Sequence, residues 1–461
     1  MSKIFKYKYF LILFIIIAVN ISILSGIIFF PYPELFIYSY LTTKGLLPYK
    51  QIIDQHFPGI MFFPINLISI GINTAEKAKF LNWGLVSLNH IFIFLIARKL
   101  FKSNYWVLLA NVLYLIWHPF FEGFVLWIDT FVSTLLLISY YILIGGWKRI
   151  EKVKEFIAGL VLGTAFVFKQ VILPLVTLLF LYYFLYQKKY RLSYRLLLGV
   201  FLPVFLMFVY IIKIDVLKDF LYWTVTFNLT TFAQLGRKYP TFLEILKLGW
   251  VFWPAFLAAL IIFIKKPIKE LIILCIFFIC GMFFFYARSD FIHLQPSLAF
   301  CIILMIYLIR IIPKRLLYLL AIFYFLGSMY LLIPFYRWAV NNKQTLFFGE
   351  KEERIVSEVR KYANKDDSVF SFATVSHLNY LTETIPPGKV FVFPFPWFML
   401  KAENKILEGV KKDPPKVVVM DKFAQVEGVN LVSYTPRIKE YIEKNYNVVN
   451  SFDQTEILVP R

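Results

Sequence analysis

Two carboxylates and a histidine lie close together early in the chain, in the segment FPYPELFIYSYLTTKGLLPYKQIIDQHFPGIMFFP. Glu34 follows Pro33, and Asp54 stands two residues before His56. A carboxylate held beside a reacting hydroxyl can take its proton, and an imidazole can orient the carboxylate or share the work. The same residues also fit a plainer account, with Glu34 as a first-turn helix charge and Asp54 as a solvated loop residue. Further along, Lys169 and Gln170 sit between two apolar arms in GTAFVFKQVILPLV, and Arg288 and His293 occur in YARSDFIHLQPSLAF. Cations at such tips can hold an anion such as a lipid phosphate, although long basic side chains also snorkel at helix ends without any ligand. Asp129, in WIDTFVSTLLLIS, lies about one turn inside an apolar run, where a carboxylate needs a basic tip or water as partner. The five histidines, His56, His90, His118, His293 and His377, have no ligand spacing, and Cys275, Cys280 and Cys301 lie in apolar runs. No cofactor is expected, and no motif encodes a divalent metal. Asn228-Leu229-Thr230 matches the glycan acceptor pattern, too short to assign anything.

The elements that must position these residues are membrane helices. Of 461 residues, 60% are hydrophobic and 17% charged, and the mean hydropathy is +0.69. A water-soluble fold cannot hide that much apolar surface. The formal net charge of +21 comes in short Lys/Arg clusters between apolar runs, the pattern of cytoplasmic membrane loops and not of a nucleic-acid surface. The clusters are Lys3–Lys8, Arg98–Lys102, Lys148–Lys154, Lys188–Arg195, Lys265–Lys269 and Arg310–Arg315. Each neighbouring pair must be separated by an even number of crossings. That parity makes Gly59–Ile72, shorter than the roughly 20 residues a span needs, a helix lying in the outer interface. It leaves about 11 spans by the residues-per-span rule, with the N-terminus inside and the C-terminus outside. The first apolar run, about Tyr9–Phe30, has no small-residue cleavage site and is expected to remain as the first span. Trp106, Trp117, Trp127, Trp147, Trp250 and Trp338 fall near span ends, as an interfacial aromatic belt places them.

After this membrane domain, 1–338 with an outward first loop 31–79, the chain changes character. Residues 339–461 alternate strands near Ser368–Phe372, Lys389–Phe393, Lys416–Met420, Asn447–Phe452 and Glu456–Val459 with helices at Val375–Thr382, Trp397–Lys411 and Pro436–Lys444. Such alternation implies a small extracytoplasmic α/β domain. It carries no phosphate loop, metal spacing or nucleophile elbow, so recognition or scaffolding is its expected role.

In the order of these features the chain resembles the polyprenyl-phosphate-sugar-dependent glycosyltransferases of the GT-C fold. These include the dolichyl-phosphate-mannose protein mannosyltransferases and the aminoarabinose transferase of lipid A. GLLPYKQIIDQHFPG looks like the family's first-loop segment, WIDTFVSTLLLIS like its outer-end aspartate, GTAFVFKQVILPLV like its hairpin with a tip lysine, and YARSDFIHLQPSLAF like its late outward histidine segment. The resemblance implies transfer of one hexosyl or pentosyl unit from a polyprenyl-phosphate donor to a protein, lipid or glycan acceptor on the outer face of the cell membrane. Glu34 or Asp54 would serve as base, with Lys169, Arg288 and His56 or His293 on the lipid phosphate, and direct attack would invert the sugar. The family's Asp-Glu pair after the first span is absent here, because Pro33 precedes Glu34. That departure leaves the catalytic carboxylate open. Glu34 is favoured because it follows the span directly, with Asp54 orienting the acceptor or Lys169. The competing readings are a lipid-linked glycan carrier or flippase, for which inverted repeats would be expected, and an interaction protein.

Overall fold

The computed structural model describes residues 3–145, 153–265, 268–426 and 428–461. Trp147, most of the Lys148–Lys154 cluster and Lys266 lie outside the described residues, as do the side chains of Lys3 and Lys6. The chain is a polytopic α-helical protein with a small C-terminal sheet region. The first apolar run is helical through Ser25. Among the described residues, seven helices are long and apolar enough to cross a membrane, including Lys8–Ser25, Ala75–Phe101, Tyr190–Lys213 and Lys314–Asn341. Asn104–Trp117, Ile128–Ile144, Lys154–Phe168 and Gln170–Tyr186 are shorter helical segments. Contacts divide the chain into two compact units. The first comprises Met1–Phe30, Glu76–Leu206 and Lys238–Gln344, and the second Pro31–Ala75, Met207–Arg237 and Thr345–Arg461.

The first unit is built around the helix Gln295–Ile311, which is buried almost throughout. It packs against the helices Phe242–Ile264, Lys269–Ala287, Ile128–Ile144 and Asn104–Trp117. Helices at the edge of the unit show the opposite pattern: Phe201 and Phe205, and Phe323 and Phe325, are exposed. Outward apolar side chains carry no penalty where lipid is the solvent. Some polar residues inside this unit pair with neutral partners. Asn20 bonds to His90 Nε2 and Asn111 to His90 Nδ1, each at 2.9 Å, which gives His90 a packing role. Lys154–Phe168 and Tyr190–Lys213 approach at glycines. A Cβ on Gly159 would lie 2.2 Å from the Leu196 carbonyl oxygen, and one on Gly199 would lie 2.1 Å from that of Phe156. Gly159→Ala is therefore expected to lower stability by about 1–3 kcal/mol, the usual cost of overpacking, seen as a lower melting temperature of the detergent-solubilised protein. An unchanged melting temperature would mean that these helices stand farther apart.

The second unit holds a four-stranded sheet in the spatial order Val369–Phe372, Val417–Asp421, Thr455–Pro460, Tyr446–Phe452. The first two strands are parallel, with Val369 opposite Val417, and the last two pairings are antiparallel. Val369, Val417, Val419 and Ile457 pack on one face against Ile355, Val359 and Leu378. Ile355 and Val359 belong to the helix Glu350–Val359, which the sequence reading missed. The helices expected at Pro436–Lys444 and Trp397–Lys411 form as Pro436–Asn445 and Pro396–Lys412, each opened by a proline in its first turn, where its missing N–H costs nothing. Phe391–Val392 stands outside the four-stranded sheet and pairs in parallel with Ile52–Ile53 of the first loop.

Two expectations for that loop are corrected. Gly59–Ile72 is a run of turns and not an interfacial helix. Pro58 and Pro64 remove amide donors, and Gly71 takes a positive φ of 88°, so an apolar run of helical length cannot continue as a helix. Conversely, Glu34–Thr43, read as loop, is a helix, buried from Glu34 through Leu41.

Candidate active site

The second unit assembles the carboxylates. Pro33 occupies the N-cap of the helix Glu34–Thr43, which makes Glu34 its first residue. An acidic group there is favoured by the helix dipole, yet this one is buried, and its Oε2 has no hydrogen-bond partner. Burial holds the Glu34 carboxyl well above the usual carboxylate range; the hydrogen bond with its own backbone opposes this, and the charge of Asp54 adds to it. Asp54 is buried as well but differently supplied. It accepts from the Tyr38 hydroxyl at 3.0 Å, from the His56 amide at 2.6 Å and lies 2.9 Å from His56 Nδ1. Its oxygens are occupied, so it orients and is oriented. Tyr38, one helical turn past Glu34, stays a protonated donor because burial and the charges of Asp54 and Glu34 push its ionisation well upward.

This loop is held from several sides of the same unit. The Tyr49 hydroxyl donates to the His56 carbonyl at 2.9 Å, and the Asn228 amide donates to the Gln55 carbonyl at 3.0 Å. Asn228 therefore works as an anchor of the Asp54–His56 turn. Tyr38 stacks on Phe62 at 5.5 Å between centroids and meets Phe391 edge-on at 5.9 Å. Phe391 also donates its amide to the Gln51 carbonyl at 2.8 Å. The C-terminal segment thus buttresses the carboxylate loop from behind.

The first unit assembles the basic residues. Asp129 lies in the first turn of Ile128–Ile144, and Lys169 ends the helix Lys154–Phe168 with extended backbone. Lys169 Nζ donates to both Asp129 oxygens, at 2.8 and 2.7 Å, and both side chains are buried. His293, in the short turn Phe291–Leu294, brings Nδ1 to 3.1 Å from both Lys169 Nζ and Asp129 Oδ2. The anion at the lysine tip is thus the protein's own aspartate. Gln170 follows, half-buried, as the first residue of a 3-10 turn. Arg288 does not join His293. Its Nε lies 2.5 Å from Asp290, which Lys238 also reaches at 3.1 Å. Burial alone would raise the Asp290 carboxyl, but Arg288 and Lys238 hold it below its ordinary range.

Residues that sequence reasoning missed are those that hold the others: Tyr38, Tyr49 and Asn228 in one unit, and Asp290 in the other. Only Tyr38 carried a signal, its spacing of four residues from Glu34, which places both on one helix face. Among the described residues, no group of three or more His, Cys, Asp or Glu side chains could hold a metal ion.

No family model and no curated protein sequence matches the chain. Solved structures do match. ArnT from Cupriavidus metallidurans bound to undecaprenyl phosphate superposes with a TM-score of 0.66 at 12% identity, over 99% of this chain and 98% of that one. The apo state of the same protein gives 0.59 over the same shares. The archaeal oligosaccharyltransferase AglB from Archaeoglobus fulgidus, in complex with an inhibitory peptide and a dolichol-phosphate, gives 0.54 at 12% identity, over 97% of this chain and 73% of that one. At that identity the likeness is one of fold, and the resemblance read from the sequence holds at that level: along nearly its whole length the chain has the fold of ArnT, and, with a lower score, that of AglB.

Proposed function

We propose that the chain is a membrane glycosyltransferase that moves one sugar from a polyprenyl-phosphate donor to an acceptor on the outer face of the membrane. The observation that carries this reading is the pair of buried carboxylates with opposite provisioning: Glu34 with an unpartnered oxygen and high proton affinity, and Asp54 with its oxygens already engaged. A transporter has no use for such a difference, whereas acyl or glycosyl transfer needs one group free to take a proton and another to hold geometry. The two solved relatives in fold are described with undecaprenyl phosphate and with a dolichol-phosphate, which supports a polyprenyl-phosphate carrier here.

In the proposed step, the acceptor oxygen attacks the anomeric carbon while Glu34 takes its proton. The bond from that carbon to the phosphate oxygen breaks, and polyprenyl phosphate leaves with the bonding pair. Lys169 and Arg288 stabilise the departing phosphate, with His293 beside Lys169, and a single direct attack inverts the sugar. In this reading the N-terminus lies in the cytoplasm and the C-terminal domain outside, which the distribution of the Lys/Arg clusters supports. The test is to reconstitute the protein in vesicles with a labelled polyprenyl-phosphate sugar and an acceptor extract. Release of polyprenyl phosphate in step with labelling of the acceptor is expected. Movement of the intact lipid-linked sugar between leaflets without cleavage would overturn the reading in favour of a flippase.

A further inference from the structure

One acidic residue of the first unit is used by neither chemistry nor packing as described so far. Glu122 sits in the turn between Asn104–Trp117 and Ile128–Ile144 with a positive φ of 58°. Glycine is the residue that this conformation favours, and Gly123 is the next residue along. A glutamate kept in that backbone region points to a use for its side chain. Its Oε2 accepts the amide of Ile292 at 2.8 Å, and Ile292 directly precedes His293. The same two stretches are tied a second time, because Gln295 Nε2 donates to the Glu122 carbonyl at 2.9 Å and lies 3.3 Å from the Phe121 carbonyl. Gln295 is in turn linked to the Asp129 helix, where the Ser133 hydroxyl donates to its carbonyl at 3.1 Å.

We propose that Glu122 is a positioning residue: by gripping the Ile292 amide it fixes the turn Phe291–Leu294 and so sets His293 against Asp129 and Lys169. The inference rests on the proposed role of that cluster in holding the donor phosphate. A side chain on a short turn has its placement decided by the turn's own anchors, and a misplacement of about 1 Å in such a site can cost as much as a hundredfold. What Glu122 supplies to the turn is the acceptor for the Ile292 amide. Burial pushes its carboxyl up to about 7 with Asp290 adding to the rise, while the Ile292 amide and Lys238 oppose it. An amide oxygen at the same place should therefore serve nearly as well.

Three variants in lipid nanodiscs test this. Glu122→Gly relieves the left-handed backbone but removes the acceptor, so the fold should hold, with a melting temperature at or near that of the parent. Amide hydrogen exchange in the segment 288–296 should rise roughly tenfold, since the turn loses its anchor, and the apparent KM for a polyprenyl-phosphate sugar should rise about tenfold or more. Glu122→Gln should restore both to within a few fold, which a merely structural loss would not predict. Lys169→Gln, measured alongside, separates the two ideas. Impaired donor use in Lys169→Gln with normal exchange and normal KM in Glu122→Gly overturns the positioning role alone. A Glu122→Gln variant as defective as Glu122→Gly overturns it too, because charge and not the acceptor would then be at work. Faster exchange in Glu122→Gly with donor use unchanged in both Glu122→Gly and Lys169→Gln removes the phosphate role on which the inference stands.

Discussion

Glu34→Gln is expected to lower turnover by roughly 100- to 10,000-fold, the range that a general base supplies, while leaving donor binding nearly untouched. The substitution keeps the size of the side chain and one oxygen but cannot accept the acceptor's proton. Asp54→Asn should do less to turnover and more to apparent substrate affinity, because the Tyr38, His56 and Asp54 contacts hold geometry. The pH profile supplies a second, independent reading. Glu34 must be ionised to act, and burial raises its proton affinity, so the acid limb of kcat/KM should lie above the ordinary carboxylate range. Activity is lost as pH falls through that raised value. The sign for stability is opposite to that of a salt-bridged carboxylate. An acid whose pKa is higher folded than unfolded weakens the fold as pH rises above the unfolded value, so Glu34→Gln should hold or raise the melting temperature at neutral pH. A variant that is both inactive and at least as stable as the parent is the signature of a buried catalytic carboxyl. Near-normal transfer by Glu34→Gln together with a dead Asp54→Asn would exchange the two roles.

The membrane helices were legible because lipid leaves little choice: an apolar run bounded by basic clusters satisfies its backbone only as a helix. The first loop was harder for a physical reason. ELFIYSYLTT is rich in aromatic and β-branched residues, which favour strands, and it becomes a helix because tertiary burial from Glu34 through Leu41 overrides that preference. Gly59–Ile72 erred in the other direction, where apolar composition outweighed the punctuation of Pro58, Pro64 and Gly71. In the tail, strand periodicity placed four strands correctly to within a few residues, but composition could not say that Phe391–Val392 pairs with Ile52–Ile53, a contact between segments far apart in sequence. The site shows the same limit. Sequence offered Asp129 a basic tip or water as its partner and did not choose among them, until the fold brought Lys169 Nζ to it and paired Arg288 with Asp290.

That pairing makes the sharpest test of the basic cluster, because Lys169 now has two candidate employments, holding Asp129 and holding a phosphate. The pair is buried, with side-chain exposures of 8% and 0%. Removing one partner strands the other charge in an apolar surrounding, and such single removals typically cost about 3–5 kcal/mol. Asp129→Asn and Lys169→Met should each lower the melting temperature sharply. The double variant removes both charges, and neutral replacement of a buried pair often costs little, so it should recover most of the lost stability. Donor use follows a different rule. Loss of the lysine should weaken binding of the lipid phosphate by about 1–3 kcal/mol, the strength of a charge-assisted contact, and restoring the fold does not bring that contact back. The double variant is therefore expected to be stable and still poor with donor. Recovery of donor affinity together with stability would show that Lys169 serves only Asp129, and the phosphate would then have to be held elsewhere, with Arg288 and Lys238 the next cations to replace.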